Sequence, residues 1–247
     1  MTYAEFHLVF ILPPIALLAF AVWRMRRERG ATTDTVGAIG IIAAIAFTYT
    51  IPWDNYLVYR EVWGYGADRV LATIGYVPIE EYAFFILQPI LTGLWYLLVR
   101  ARIEHVPAEV SAKARAAGVA GWLVLTAIGA VCVAIDGHWL YLGLILAWAC
   151  PILALMWGVG GEALWANRRT LAWAILPPTL WLWVADRIAI GLGIWYIAEP
   201  TKTGFEPFGL PIEEAVFFLI TNVLVVQGLL LLSLRRVGAA RARAVSA

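Results

Sequence analysis

The stretch Gly75-Tyr-Val-Pro-Ile-Glu-Glu-Tyr-Ala-Phe-Phe85 opens a long apolar run, and it recurs as Gly209-Leu-Pro-Ile-Glu-Glu-Ala-Val-Phe-Phe218. Both copies contain Pro-Ile-Glu-Glu, then two residues, then a pair of phenylalanines. A proline at the first helical position and two carboxylates in the first turn are typical of a helix start. Helix capping alone does not explain why this motif opens two runs of membrane length. Carboxylates beside hydrocarbon are costly and indicate a functional site.

The composition around the two motifs is that of an integral membrane protein. Of 247 residues, 62% are hydrophobic and 14% are charged, with a mean hydropathy of +0.80, whereas soluble domains are roughly half apolar and about a quarter charged. The formal net charge of +1 does not indicate nucleic-acid binding. Cys132 and Cys150 lie in apolar runs, which favours buried thiols over a disulfide. The three histidines are too scattered to indicate a metal site.

Apolar runs near the ~20 residues needed to cross a bilayer recur along the whole chain. We predict an all-α membrane protein with seven transmembrane helices, forming a single transmembrane domain over residues 1–247. No positively charged region precedes the first run, so we expect it to act as an uncleaved insertion signal. The predicted spans lie at about residues 5–23, 36–53, 78–99, 116–135, 139–157, 170–190 and 211–234.

Basic residues predict the orientation of these spans. Fourteen of them follow the odd-numbered spans, and the other four lie on the opposite side of the predicted membrane. Because basic loops stay in the cytoplasm, this asymmetry predicts a multi-pass protein of the cell membrane with an extracytoplasmic N-terminus and a cytoplasmic C-terminus. The four residues of the opposite side are Arg60, Arg69, Arg187 and Lys202.

The repetition extends beyond the acidic motif. Asp54 and Trp63 are nine residues apart near the end of the second span, as are Asp186 and Trp195 near the end of the sixth. We predict two three-helix repeats, residues 1–103 and 137–236, joined by a linking helix over residues 114–136. Because the linking helix crosses once, the repeats are parallel and both motifs lie on one side of the membrane. A tyrosine and a proline ten residues apart also recur, as Tyr3 and Pro13 and as Tyr141 and Pro151.

Helical geometry divides the motif residues into two columns. Residues four positions apart share a helix face, so Glu81 aligns with Phe85 and Glu80 aligns with Phe84. The two columns lie about 100° apart around the helix. The second motif repeats them as Glu214 with Phe218 and Glu213 with Phe217.

If the repeats pack side by side, the four motif glutamates gather at one level with Asp54 and Asp186, the latter beside Arg187. Like charges in a low dielectric cannot all ionise, so we expect some of these carboxyls to stay protonated near neutrality. Such a site could contain both a Brønsted acid and a general base. Aromatic rings stabilise a carbocation through their quadrupole without trapping it. The aromatic residues predicted to stabilise the cation or bind the substrate are Phe84, Phe85, Phe217, Phe218, Trp181 and Trp183.

Tandem Pro-x-Glu-Glu-x-x-Phe-Phe motifs at the head of membrane helices resemble those of the integral-membrane lycopene cyclases, in the fused form of the two-subunit enzymes. The resemblance covers most of the chain. It implies cyclisation of the ψ-ends of lycopene to β-ionone rings, giving γ-carotene and then β-carotene, with membrane-dissolved carotenoids as ligands and membrane lipid as the surroundings. The implied reaction is redox-neutral: a proton adds to the terminal double bond, the ring closes on the cation, and a proton is lost. No G-x-G-x-x-G follows a strand, so no flavin or other cofactor is implied.

Two alternatives stay open at this point. The chain could cyclise C50 carotenoids, or it could be a parallel-repeat transporter that uses paired carboxylates as a proton relay. A retinal-linked photoreceptor is disfavoured because it requires a lysine in the last helix, whereas Lys113 and Lys202 lie in predicted loops. The sequence does not determine which glutamate of each pair is the acid, whether one composite site or two sites act, or the oligomeric state.

Overall fold

The computed structural model of the chain describes residues 1–29, 34–103, 106–107 and 111–245, and most of them are helical. A short helix, α1 (Tyr3–Phe6), continues through a π-helical turn (His7–Ile11) into α2 (Leu12–Arg29). The helices that follow are α3 (Asp34–Tyr59), α4 (Ile79–Arg100), α5 (Ala112–Ile135), α6 (Leu140–Ala166), α7 (Arg168–Gly191) and α8 (Ile212–Val245).

Six stretches of the described residues are long and apolar enough to cross a membrane, in agreement with the prediction of an all-α multi-pass membrane protein. These stretches are Tyr3–Glu28, Val36–Tyr59, Ile79–Arg100, Ala112–Ile135, Gly137–Ala166 and Ile212–Leu234. The predicted span at residues 170–190 is also helical, and α7 has the necessary length of 24 residues. It is not one of the six because two prolines, three tryptophans and the charged pair Asp186 and Arg187 lower its hydropathy.

Helix α3 is longer than the sequence predicted. It continues past Trp53 and past an internal proline, Pro52, to Tyr59. Asp54 therefore lies inside a helix rather than at its end, and Asp186 likewise precedes the end of α7. The predicted end of the second span at residue 53 was therefore too early, because neither Pro52 nor Asp54 was sufficient to stop a helix packed among apolar neighbours.

The two acidic motifs begin α4 and α8. Pro78 has an extended backbone and caps α4 without a side-chain hydrogen bond, so Ile79 rather than the proline is the first helical residue. Glu80 and Glu81 then occupy the first turn, where the helix dipole favours negative charge. Most of the membrane-length stretches of α4 and α8 are buried inside the bundle. The two helices pack against each other, and each also packs against both α3 and α7.

Short strands tie together the loops at the end of the bundle where α4 and α8 begin, termed here the motif end. Strand β1 (Trp63–Tyr65) pairs antiparallel with β4 (Trp195–Ile197), and this pairing places Tyr65 opposite Trp195. Strands β2 (Thr73–Ile74) and β3 (Val77–Pro78) form a small hairpin just before α4. Its turn contains Gly75 with φ of +66°, a conformation that favours glycine. These strands are a departure from the all-α prediction, confined to loops.

The linking helix α5 lies at the outside of the bundle and packs chiefly along α6. Glycines allow the two backbones to approach closely. A Cβ atom on Gly129 would lie 2.7 Å from the amide nitrogen of Ala147, and one on Gly143 would lie 2.8 Å from the Cβ of Cys132. Small residues at such interfaces are typical of membrane helices. Helix α5 therefore joins the two halves of the chain without entering the packed centre.

Candidate active site

Two glutamates, one from each motif helix, line the same buried cavity at the motif end. Glu81 of α4 accepts a hydrogen bond from the Tyr3 hydroxyl at 2.6 Å and a longer one from the Tyr65 hydroxyl at 3.4 Å. Glu214 of α8 accepts a hydrogen bond from the Tyr141 hydroxyl at 2.6 Å. Each cavity-lining glutamate is thus held by a tyrosine from the first helical segment of its own half of the chain.

Two aspartates complete a cluster of four carboxyl groups. Asp186 of α7 lines the same cavity and accepts a hydrogen bond from the indole Nε1 of Trp195 at 2.8 Å. Asp54 of α3 is fully buried, lies close enough to Glu81 and Glu214 to interact electrostatically with both, and has no hydrogen-bond partner among the described residues. A buried carboxylate without a partner is very unfavourable. The cluster therefore cannot hold four negative charges, and at least one of its carboxyl groups retains a proton.

The loop strand β1 contributes a neutral hydroxyl donor to this cluster. Burial raises the pKa of the Tyr65 phenol well above its usual range, and the neighbouring Glu81 carboxylate raises it further. Tyr65 consequently keeps its proton at physiological pH and can donate it in a hydrogen bond to Glu81. The described residues that line the cavity include neither lysine nor arginine.

The other glutamate of each motif is bonded to a loop instead. Glu80 accepts a hydrogen bond from the backbone amide of Leu71 at 2.8 Å, and Glu213 accepts one from the amide of Thr203 at 2.7 Å. Both amides belong to the loops that precede the motif helices, and neither glutamate lines the cavity. Of the six carboxyl groups that the sequence predicted to gather, four form the cluster and two fasten loops to helix starts.

The cavity lined by Glu81, Asp186 and Glu214, termed here the acidic cavity, has a volume of about 390 Å³ and an aromatic wall. Phe218 meets Phe84 edge to face with ring centroids 6.1 Å apart, and it meets Phe217 at 5.2 Å. On the loop side, the ring of Trp195 lies 5.0 Å from that of Phe6. Trp63 also lines the wall. Among the residues that the structure describes, those lining the cavity thus combine proton donors and acceptors with π-electron surfaces and include no nucleophilic amine.

A second cavity, termed here the apolar cavity, adjoins the acidic one. It has a volume of about 710 Å³, is enclosed by residues of α3, α4, α6 and α8, and shares Phe84 and Phe217 with the acidic cavity. Phe85 lines only this second cavity. Gln88 borders it and donates a hydrogen bond to the side-chain oxygen of Asn222 at 2.8 Å, which joins α4 to α8 below the motifs.

Both tryptophans that the sequence predicted for the site lie outside the two cavities. The indole Nε1 of Trp183 donates to the Ala215 carbonyl oxygen at 2.9 Å and so connects α7 to α8. Trp181 is 42% exposed on the outer surface and donates to the Phe10 carbonyl oxygen. The rotation of α7 that brings Asp186 into the cluster turns Trp181 outward. The structure therefore does not support a role for Trp181 and Trp183 as part of the aromatic wall.

Arg187 does not join the carboxyl cluster either. Its side chain is exposed, and its Nε donates to the Phe208 carbonyl oxygen at 3.0 Å. Adjacent residues on a helix point about 100° apart, so the residue after a buried Asp186 faces away from it. The predicted supporting charge therefore acts as a loop anchor.

Sequence reasoning assigned no role to several residues that complete the site. Tyr3 and Tyr141 occupy matching positions of the two repeats, as do Trp63 and Trp195, and that repetition is the signal that could have placed them beside the carboxylates. Tyr65 has no such signal, because only the pairing of β1 with β4 carries its hydroxyl to Glu81. Phe6 was likewise not predicted, although it is almost completely buried at the cavity wall.

Comparison with known proteins assigns the chain to a family. A lycopene beta-cyclase of Halobacterium salinarum is 45% identical over 230 residues, which cover 93% of this chain and 95% of that protein. The chain belongs to the lycopene beta-cyclase family. This membership leaves the alternative of a proton-coupled transporter without support.

Fungal members of the family are larger proteins. A bifunctional lycopene cyclase/phytoene synthase of Gibberella fujikuroi is 37% identical over 237 residues, covering 92% of this chain but 39% of that protein. The corresponding bifunctional protein of Phycomyces blakesleeanus is 36% identical over 234 residues, covering 92% of this chain and 38% of that protein. No protein-family model matches the chain. No solved structure matches it either.

Proposed function

We propose that this chain is a lycopene β-cyclase that converts the ψ-ends of lycopene to β-ionone rings, forming γ-carotene first and β-carotene second. The observation that carries this proposal is the cluster of four carboxyl groups, three of which line an aromatic cavity that adjoins an apolar cavity. The names of the similar proteins from Halobacterium and from fungi agree with it. An apolar polyene would place its end group among the acids and its chain among apolar side chains.

In the proposed reaction, one proton is added to the substrate and one proton is later removed from it. A carboxyl group of the cluster transfers its proton to the terminal double bond, which leaves a carboxylate and a tertiary carbocation. The π electrons of a nearby double bond then form the ring-closing carbon–carbon bond and move the positive charge onto the ring. A carboxylate of the cluster removes a ring proton, and the electrons of that C–H bond form the ring double bond. Because no electrons are gained or lost, the reaction requires no net oxidant or reductant.

We assign the acid and base roles to Glu81 and Glu214. Both line the acidic cavity, and each accepts a short hydrogen bond from a tyrosine that fixes its orientation. Asp54 and Asp186 influence the proton distribution through their proximity to these glutamates. The sequence proposed Glu80 and Glu213 as catalytic too. Their bonds to loop amides support a positioning role instead.

The aromatic wall is proposed to stabilise the cation during ring closure. Phe84, Phe217 and Phe218 lie at the acidic cavity, where ring quadrupoles attract positive charge without reacting with it. Phe85 lines the apolar cavity and is proposed to contact the polyene chain. The absence of lysine and arginine among the described lining residues also favours a cationic intermediate.

In the proposed membrane arrangement, α7 is the sixth of seven spans, and the repeats at residues 1–103 and 137–236 are parallel. Two features support the repeats: α4 and α8 have matching neighbours, and each half contains a tyrosine–glutamate pair. The excess of basic residues after the odd-numbered spans supports an extracytoplasmic N-terminus, a cytoplasmic C-terminus and location in the cell membrane.

Expression in a bacterium that accumulates lycopene and lacks its own cyclase tests the function. We expect chromatography to detect β-carotene, and membranes washed free of flavin and nicotinamide to keep converting lycopene. In deuterated water, mass spectrometry is expected to find one solvent deuteron on each new ring, at the carbon protonated first. Unchanged lycopene would contradict the function, and a restored activity only on addition of flavin would contradict the mechanism.

A further inference from the structure

Helices α3 and α6 leave a gap in the wall of the bundle. Both pack against α8, but they make few backbone contacts with each other. Side chains fill the space between them. The Tyr49 hydroxyl donates to the Trp148 carbonyl oxygen at 2.9 Å, and Trp53 Nε1 donates to the Leu144 carbonyl oxygen at 3.3 Å. The wall is therefore closed here by three aromatic side chains, which can move on a faster timescale than packed helices.

The gap separates an outer groove from the apolar cavity. The groove runs along α3 on the outer surface of the bundle, and Ile45, Tyr49 and Trp148 border both the groove and the cavity. Ile45 is 57% exposed on the groove side. A rotation of the Tyr49 or Trp148 side chain would therefore join this apolar outer groove to the interior.

A row of aromatic rings leads inward from this gap. Trp148 stacks on Trp53 with ring centroids 4.4 Å apart, and Trp53 stacks on Phe217 at 5.8 Å. Phe217 borders both cavities and contacts Phe218 in the acidic cavity at 5.2 Å. The interplanar angles of 17° and 11° along the first two steps show that these rings stack nearly parallel, so the row forms a continuous aromatic lining from the gap to the acidic cavity.

We propose that the gap between α3 and α6, closed by Tyr49, Trp53 and Trp148, is a lateral portal through which a linear polyene hydrocarbon passes from the bilayer into the active site. The polyene end reaches the acidic cavity while the remaining chain lies along the aromatic row and extends back into lipid. This inference rests on the proposed function. It also explains how one cavity could treat both ends in turn, since the far end stays outside while the near end reacts.

Obstruction of the cavity behind the portal tests this route. Ala46 of α3 lines the apolar cavity and is half-buried, whereas Ala127 of α5 is exposed at the outside of the bundle. We expect Ala46→Trp to lower the initial rate of lycopene cyclisation in vesicles several-fold more at limiting lycopene than at saturating lycopene. Ala127→Trp, the matched control, should leave the rate at both concentrations unchanged. An Ala46→Trp variant that unfolds at the parental temperature and cyclises lycopene at the parental rate would overturn the portal.

A labelling experiment follows substrate in the portal without turnover. The chain carries Cys132→Ala and Cys150→Ala to remove its native thiols, and Glu81→Gln with Glu214→Gln so that lycopene is not consumed. In that background we expect lycopene to slow the reaction of a membrane-soluble maleimide with Ile45→Cys several-fold. Leu155→Cys on the exposed face of α6 should react at the same rate with and without lycopene.

The labelling result separates the portal from the proposed function. Equal labelling of Ile45→Cys with and without lycopene would overturn the portal, even if the parental chain cyclises lycopene. Protection of Ile45→Cys by lycopene supports the portal, including in the case where the parental chain forms no cyclic product and the proposed function fails.

Discussion

At the scale of single side chains, a tyrosine hydroxyl accompanies each cavity-lining glutamate. Tyr3 bonds to Glu81 and Tyr141 bonds to Glu214, both at 2.6 Å. Loss of one such partner removes the short hydrogen bond to a buried carboxyl group, which costs roughly 1–3 kcal/mol. We expect Tyr3→Phe and Tyr141→Phe each to lower turnover by about tenfold, because ~1.4 kcal/mol of lost transition-state stabilisation is a tenfold rate change.

The control for these variants is Tyr76→Phe, since Tyr76 is 54% exposed in the loop before α4. The measurement is β-carotene formed per unit of membrane-inserted protein, together with the unfolding temperature in detergent. Parental turnover in both Tyr3→Phe and Tyr141→Phe would show that the hydroxyls do not orient the acid and the base.

The two glutamates of each motif are expected to differ sharply in how much turnover falls when each is replaced by glutamine. Glutamine keeps the size of glutamate but cannot supply a proton, so Glu81→Gln and Glu214→Gln should lower turnover by roughly 10²–10⁴. In Glu80→Gln and Glu213→Gln, the amide oxygen can still accept the loop N–H. Those variants should lose about 1 kcal/mol of stability and keep near-parental turnover.

Cyclase activity normalised to inserted protein, measured for all four variants in one strain, checks this ranking. An equally large loss of activity in Glu80→Gln and Glu213→Gln would show that Glu80 and Glu213 are catalytic residues as well. Activity within a few-fold of the parent in all four variants would show that the motif carboxylates only stabilise the starts of the helices.

At the scale of secondary structure, the pairing of β1 with β4 holds the loop side of the acidic cavity. Gly66 follows β1, and a Cβ atom there would lie 2.1 Å from the Gly193 carbonyl oxygen. We expect Gly66→Ala to separate the strands, displace Tyr65 and Trp195, and lower stability by about 1–3 kcal/mol. The cyclisation rate per folded molecule should fall too, because both displaced residues line the cavity.

Gly40 in α3 provides the comparison, because a Cβ atom there meets nothing within 4 Å. Alanine favours a helix interior over glycine by roughly 0.5–1 kcal/mol, so Gly40→Ala should raise the unfolding temperature or leave it unchanged. Thermal unfolding monitored by tryptophan fluorescence in detergent gives the unfolding temperatures of the Gly66→Ala and Gly40→Ala variants. A Gly66→Ala variant as stable as the parent would show that the strands tolerate separation.

At the scale of the whole molecule, the acidic cavity draws its two central glutamates from opposite halves of one chain. A composite site should fail for both ends of lycopene when either glutamate is lost. We therefore expect Glu81→Gln and Glu214→Gln each to accumulate lycopene rather than γ-carotene. Co-expression of the two variants should not restore β-carotene, because neither chain contains both glutamates.

Chromatography of the pigments distinguishes the possible outcomes. Accumulation of γ-carotene as the end product in either variant would indicate two independent sites, one for each end. Restored β-carotene on co-expression would indicate that the cavity is assembled from two copies of the chain. Mixed expression of the parent with either variant provides the reference for full restoration.

The amino-acid sequence by itself determined the class of the protein, the starts of its helices within a few residues and the resemblance to a family. Hydropathy, helix starts and repeated motifs are local properties of the chain, so they can be read without knowing the fold. The repeated spacings also identified the positions of Tyr3, Tyr141, Trp63 and Trp195 without indicating that they meet the carboxylates.

Only the tertiary structure decided which member of each glutamate pair faces the cavity. Adjacent helical residues point about 100° apart, so the rotation of α4 and α8 directs Glu81 and Glu214 inward and leaves Glu80 and Glu213 to the loops. The rotation of α7 likewise turns Trp181 outward. Tyr65 reached Glu81 through a strand pairing between segments more than a hundred residues apart. Rotation and long-range pairing depend on how the whole bundle packs, and no local pattern encodes them.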